Sequence, residues 1–245
     1  MTRWYIIYYQ DYYIHTYEVE KDKRLKISAL LNYLQDAMVH NADSYGAGTD
    51  FYQSIGLAWV LIDYEIDIVE LPLGKSTITC GTLPYSFKRF FVFRKWEMKD
   101  KDNKLIAKAK GKFALVDIKT KEIISPTREM TSMFKYSSEK AQTVPFSKNK
   151  QLNTPVVYHG TDTVKTSYID INNHMNNVYY MIVAYDSIPS DITDNNDIEK
   201  IRITYKKESL LGDELIIDGR KEENILSFDI LNNATLLSRV KFIFK

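Results

Sequence analysis

Tyr168–Tyr180 reads Y-I-D-I-N-N-H-M-N-N-V-Y-Y, and the reading of that run decides the fold. Asp170, Asn172 and His174 recur there at every second residue. In an extended segment this spacing puts all three on one face, with Ile171, Asn173 and Met175 on the other. In a helix, Asp170 and His174 would share a side while Asn172 pointed away. The triplet therefore predicts an extended segment. A helix is expected just after it, because Val178, Met181, Ile182 and Tyr185 fall at i, i+3, i+4 and i+7. Asn176 and Asn177 are good N-cap types, and Pro189 closes the run. Three polar groups thus arrive at a helix N-terminus, where free N–H groups and the helix dipole favour developing negative charge. Taken alone, D-x-N-x-H is also what a polar loop with a capping Asn pair looks like.

Outward from this run, the second half repeats the order of the first: opening strand, helix, then several strands. In the first half Tyr12–Val19 is expected as the opening strand. Ile27, Leu30, Leu31, Leu34 and Met38 then form one helical stripe. Burying each is worth roughly 1.5–3 kcal/mol before conformational entropy is counted, so the helix should be central. Gly46 and Gly48 end it, and Asp50 with Gln53 offers a capping box for a short helix that Gly56 closes. Strands are expected at Trp59–Val69, Ser76–Leu83, Phe87–Met98 and Lys104–Ile118, with K-D-K-D-N-K as the last hairpin. In the last of these, Leu105, Ala107, Ala109, Gly111, Phe113 and Leu115 share a face opposite Lys104, Lys108, Lys110 and Lys112. Small residues in mid-face let something bulky approach, as a helix laid across a curved antiparallel sheet would.

Periodicity fades between Ser125 and Thr154, where a surface connector is expected. Beyond it, E-S-L-L-G-D-E-L-I-I from Glu208 echoes E-L-P-L-G-K-S-T-I-T from Glu70, and Asn232-Asn233 makes a hairpin before Thr235–Phe244. Two like units suggest a fused pseudo-dimer, and a homodimer of whole chains is compatible with it. The halves differ at the motif: E-K-D-K-R-L-K-I-S stands ahead of the first helix, with no counterpart of the triplet.

With 33 Lys and Arg against 32 Asp and Glu, no basic field argues for nucleic acid. The 18 Tyr and 11 Phe suit strands with covered faces. Phosphate loops, a Rossmann fingerprint and zinc-like Cys/His clusters are absent from the sequence, so no metal or organic cofactor is implied. Cys80 is the single thiol, which fits a reducing, cytoplasmic setting. The start, M-T-R-W-Y-I-I-Y-Y-Q-D, lacks a signal-peptide core, and no stretch approaches the ~18 apolar residues of a membrane span.

The run D-I-N-N-H-M-N-N-V-Y-Y resembles the D-x-N-x-H-x-N-N-x-x-Y signature of the acyl-acyl carrier protein thioesterases, double-hotdog enzymes that release fatty acids from their carrier. Y-E-V-E-K-D from Tyr17, L-L-N-Y-L-Q-D-A-M-V-H-N-A-D-S-Y-G from Leu30, Trp59 with its strand, and Ile106–Ile118 look like the same family. The resemblance implies an α+β fold of tandem hotdog domains, each a curved antiparallel sheet around a central helix, paired as a pseudo-dimer. Residues 1–130 would form the first, accommodating the acyl chain. Residues 131–155 would link it to a catalytic second, residues 156–245. It also implies that Asp170, Asn172 and His174 are catalytic, and that the substrate partner is acyl carrier protein bearing a fatty acyl chain.

Thioester hydrolysis needs an activated water or nucleophile and a stabiliser for the oxyanion. An imidazole exchanges protons near neutrality, a carboxylate orients water or attacks, and an amide both donates and accepts. A fourth position lies in Y-K-K-E-S, Tyr205–Ser209, which resembles the plant segment Y-R-R-E-C. Ser209 replaces that cysteine, so Glu208 becomes the candidate to bind or activate water, against a surface carboxylate at a strand end. His15, His40 and His159 receive no role. Trp59, Phe90, Phe91, Phe93 and Trp96 are expected mostly as core, some as acyl-tunnel lining. The lysine row, or Lys88, Arg89, Arg94 and Lys95, would steer an acidic carrier. Rival activities are an acyl-CoA thioesterase, a hotdog 3-hydroxyacyl thioester dehydratase and a non-catalytic acyl-binding module.

Overall fold

The computed structural model of the chain describes residues 7–134 and 145–245. It divides into two compact units, Met1–Ile62 with Val69–Pro145, and Asp63–Ile68 with Phe146–Lys245. Residues 135–144 of the expected linker, and the first residues of the N-terminal run, lie outside the described residues. Among the described residues, no helix is long and apolar enough to cross a membrane.

The first unit contains β1 (Tyr8–Tyr13), α1 (Ile27–Asp43), α2 (Thr49–Ser54), β2 (Leu57–Ile68, up to Ile62), β3 (Thr77–Lys88), β4 (Phe91–Asp100), β5 (Leu105–Asp117), β6 (Ile123–Ile124) and α3 (Arg128–Met133). Strands β1, β3, β4 and β5 pair antiparallel in that order, with β6 on β5. α1 lies against β3 and β1, and its stripe is buried at Ile27, Leu30, Leu31, Leu34, Ala37 and Asn41. Met38 is only half-buried. Asn41 has a reason to be inside: its Oδ1 accepts from the Arg94 guanidinium at 2.7 Å, which also donates to Thr82 Oγ1 at 3.1 Å.

Several expectations shift. The opening strand is Tyr8–Tyr13, and Thr16–Glu18 winds into a short 3₁₀ turn instead. Glu18 closes it by accepting from the His15 N–H and the Tyr33 hydroxyl, each at 2.7 Å, a side-chain alternative to ladder pairing. β3 runs past Leu83, where the strand was expected to end, and a bulge between Pro84 and Ser86 absorbs the proline. β4 therefore begins at Phe91, after a turn with Arg89 at φ 55°. The cap of α2 is Gly48, and Asp50 sits in the first turn rather than in a capping box. On β5 the small-residue face is buried as expected, but a side chain at Gly111 would meet the rings of Trp96 and Phe113, 2.9 Å away, rather than a helix.

The second unit contains the end of β2 from Asp63, β7 (Val156–Thr163), α4 (Asn177–Asp186), α5 (Ser190–Asn195), β8 (Ile198–Tyr205), β9 (Glu214–Glu222), β10 (Ile225–Asn232) and β11 (Thr235–Phe244). Asp63–Asp67 pairs with β8, and the order continues β11, β10, β9, β7, all antiparallel. Asn233 and Ala234, both at positive φ, turn the β10–β11 hairpin. α4 packs on β11, β10 and β9 with Val178, Tyr180, Met181, Val183 and Ala184 buried, so of the predicted stripe Val178 and Met181 are inside while Ile182 and Tyr185 are only half-buried. In the described end of the connector, the Ser147 N–H donates to Glu65, Asn149 bonds the Arg239 carbonyl and Gln151 the Asp229 carboxylate. Asp229 is buried, and Arg220 and Arg239 neutralise it. Each unit is thus one antiparallel sheet with one long helix laid on it, the α+β hotdog arrangement.

Candidate active site

The segment Asp170–His174 is not extended. Ile169 and Met175 pair as an antiparallel bridge, and Asp170–His174 is the tight turn between them. The Asp170 N–H donates to the His174 carbonyl at 2.9 Å, and the Asn173 N–H to the Asp170 carbonyl at 3.0 Å. Asn173 takes φ 62°, a left-handed conformation that Asn tolerates better than most residues. The Asp170 carboxylate closes the turn by accepting the Asn172 N–H at 2.8 Å, and its second oxygen lies 3.4 Å from Asn172 Nδ2. Alternation misled because the Asp170 carboxylate accepts the Asn172 N–H, and this Asx turn outcompetes extension here.

The turn brings the candidates together in two pairs. Asp170 and Asn172 form one. His174 forms the other with Glu208: its Nε2 lies 3.2 Å from Glu208 Oε2, the imidazole about one quarter exposed and the carboxylate about half. Directly after the turn, Asn176 caps α4, its side chain accepting the Val178 N–H at 2.9 Å. Asn177 is instead the first helical residue, and its carbonyl accepts the Tyr205 hydroxyl at 3.0 Å. The Met175 N–H donates to the Ser209 carbonyl at 2.8 Å, clamping the turn to the loop that carries Glu208. A base, an imidazole and an amide held at a helix N-terminus can move a proton and stabilise an anion.

Ser209 is fully buried, and its hydroxyl donates to Asp213 Oδ2 at 2.8 Å, which also accepts the Leu210 N–H. The bond clamps the loop on which Glu208 stands. Cys80 is buried in β3, and burial, with the Asp36 and Glu97 carboxylates behind it, pushes its thiol up to about 12. No thiolate is on offer. His15 stacks on Tyr17, His40 pairs with Asp36 at 3.3 Å, and His159 within β7 pairs with Asp218 at 2.7 Å. Three groups escaped the sequence reading: Asp213, Tyr205 and Tyr180. Their signals were the acid after L-L-G, the first letter of Y-K-K-E-S and the last letter of the D-x-N-x-H-x-N-N-x-x-Y pattern.

Among the docking candidates Arg94 is only 4% exposed and serves the core. Lys104 pairs with Glu70, Lys110 donates to the Pro145 carbonyl, and Lys112 and Arg89 lie over the rings of Phe91 and Phe90. Phe93 and Trp96 are buried, and Trp59 packs edge-on against Tyr52. Among the described residues, no group of three or more His, Cys, Asp or Glu could hold a metal ion.

Residues 6–134 match the family model of the acyl-ACP thioesterase N-terminal domain, and residues 158–241 that of the C-terminal domain. The oleoyl-acyl carrier protein thioesterase 2 of Arabidopsis thaliana is 23% identical over 228 residues, covering 86% of this chain and 62% of that protein. The chain thus spans about 60% of the length of the curated relatives it matches. An acyl-ACP thioesterase structure from Bacteroides thetaiotaomicron superposes with a TM-score of 0.86 at 25% identity, covering 98% of both chains. The 12:0-ACP thioesterase from Umbellularia californica does so at 0.88 and 17% identity, over 98% of this chain and 97% of that one.

Proposed function

Because the chain belongs to the acyl-ACP thioesterase family, we propose that it hydrolyses the thioester of fatty acyl-acyl carrier protein, releasing free fatty acid and ending elongation. The observation that carries this reading is the 3.2 Å His174–Glu208 pair, seated beside Asp170–Asn172 at the start of α4. Glu208 takes a proton from a water as its oxygen attacks the thioester carbon. The carbonyl oxygen becomes an oxyanion, met by the Asn172 amide and the N-terminal end of α4. As the C–S bond breaks, protonated His174 gives its proton to the departing sulfur, and the proton on Glu208 restores the imidazolium. Asp170 holds Asn172. Its carboxylate already accepts the Asn172 N–H, which makes it a poorer nucleophile and favours the water route.

In this reading the second unit carries the chemistry and the first accommodates the acyl chain, as proposed for residues 156–245 and 1–130. The partner is acyl carrier protein, and a homodimer is compatible with the fold. The single buried thiol fits the cytoplasm. The test compares hydrolysis of one acyl chain on carrier protein and on CoA, with product analysis. Faster turnover on the carrier, giving free acid, is expected. A strong preference for CoA would make the protein an acyl-CoA thioesterase. An enoyl thioester product would make it a dehydratase, and binding without turnover an acyl-binding module.

A further inference from the structure

Tyr180 lies one helical turn beyond the cap of α4 and is 2% exposed. Its ring packs edge-on against Tyr205, centroids 5.8 Å apart, on the strand end that leads to Glu208. Tyr205 fixes that end by donating to the Asn177 carbonyl, and Ser209, next to Glu208, is held by the Met175 N–H. Tyr180 is therefore wedged between the helix and the segment that carries the candidate base. Among the described residues its hydroxyl has no hydrogen-bond partner; the Ser209 amide lies near the oxygen without hydrogen-bond geometry.

A buried hydroxyl without a partner costs about 1–3 kcal/mol, and phenylalanine would fill the same space without that cost. Packing alone does not account for the tyrosine. Burial pushes the phenol pKa up; the Ser209 amide opposes the shift, and the Glu208, Asp213 and Asp170 carboxylates add to it. The group is thus a permanent donor at neutral pH, in the field of three carboxylates. Asp213 is already committed to Ser209 and Leu210, and Asp170 to Asn172. Glu208, about half exposed, is the one of the three that also pairs with the His174 imidazole, at 3.2 Å.

We propose that Tyr180 is a positioning residue for Glu208: with substrate bound, its hydroxyl donates a hydrogen bond to the Glu208 carboxylate and holds that carboxylate in line with the attacking water. No proton leaves the phenol. The inference rests on the hydrolase reading above and assigns a residue that acts through the base rather than on the substrate.

The test is Tyr180→Phe in the full chain, assayed beside the wild type on acyl carrier protein substrate. Thermal unfolding should occur at the same or a higher temperature, because the lost hydroxyl had no partner in the free protein. KM should hold while kcat falls about tenfold. A carboxylate that loses a donor ionises later, so the acid limb of the kcat–pH profile should move up by about one unit. Wild-type kcat, a kcat loss with an unmoved acid limb, or a loss that tracks a lower unfolding temperature would each overturn the assignment. An inactive wild type would instead overturn the hydrolase reading and this inference with it.

Discussion

The two halves build the same turn from different chemistry. In the first, Val19 bridges Leu25, the Glu20 N–H donates to the Arg24 carbonyl at 2.8 Å, and the Lys23 N–H to the Glu20 carbonyl at 2.9 Å. Asp170, His174 and Asn173 repeat those bonds at 2.9 and 3.0 Å. Lys23 and Asn173 hold the same left-handed corner, at φ 69° and 62°. So the motif does have a positional counterpart: Glu20, Asp22 and Arg24 stand where Asp170, Asn172 and His174 stand. The turn is scaffold, common to both units. What differs is the groups it presents: an Asp22–Arg24 surface ion pair on one side, an amide and an imidazole on the other.

That comparison breaks most sharply at the motif residues. His174→Ala should lower kcat by about 10³- to 10⁴-fold and Asp170→Asn by about 10²-fold, while circular dichroism and acyl binding stay near wild type. Glu20→Gln and Arg24→Ala, at the matching places, should leave turnover within about twofold. Steady-state hydrolysis of acyl carrier protein substrate measures both sets. Equal losses in the two turns would mean that the turn matters only as structure.

The loops facing the two turns come next. Sequence aligns Glu208 with Glu70 through the shared L-G, but the hydrogen bonds set a different register. The Leu25 N–H donates to the Pro72 carbonyl as the Met175 N–H does to Ser209, so Leu71 occupies the place of Glu208. Glu70 pairs instead with Lys104 on the surface. Glu208→Gln should therefore cost about 100-fold in kcat, and Glu70→Gln nothing measurable. Wild-type turnover by Glu208→Gln would return that carboxylate to the role of a surface charge.

How much of this was legible beforehand follows from what each feature depends on. The α1 stripe, the β5 inner face and the Asn233 hairpin were readable because periodicity and turn chemistry are local. The bulge at Pro84, the 3₁₀ turn closed by Glu18 and the bonds of Ser147, Asn149 and Gln151 were not, because each is decided by a partner distant in sequence or by a side chain displacing a ladder bond. In the site the residue types were readable and the conformation was not. Alternation predicted an extended run, whereas the Asp170 carboxylate bends the chain onto its own amides. The loss of cysteine at Ser209 pointed to Glu208. Nothing in the sequence showed that Ser209 would be sealed beneath it by Asp213.

Ser209 supplies a smaller effect that separates structure from chemistry. Ser209→Ala removes a buried hydrogen bond, so stability by chemical denaturation should fall by about 1–3 kcal/mol. Turnover of the folded protein should stay within about twofold, because Oγ faces Asp213 and not the imidazole. A collapse of kcat at unchanged stability would make Ser209 a nucleophile after all.

The smallest contrast lies at the two helix starts. α4 begins with Asn176, whose side chain accepts the Val178 N–H, whereas α1 begins with Lys26, whose side chain makes no cap and reaches the Tyr17 carbonyl instead. Both N-caps have extended backbone, with ψ 140° and 142°, so the difference is the side chain alone. An N-cap Asn is worth about 1 kcal/mol over Ala. Asn176→Ala should then lower the unfolding midpoint by about 2–4 °C, and Lys26→Ala by less than half of that. The short α4 also has fewer turns than α1 over which to share the loss, and its first amides lie beside the anion-stabilising corner. Asn176→Ala should therefore lower kcat a few-fold besides, about as far as one weakened dipole end allows, while Lys26→Ala leaves kcat untouched. Equal thermal shifts for the two variants would show that the turn, shared by both halves, and not the cap, starts each helix.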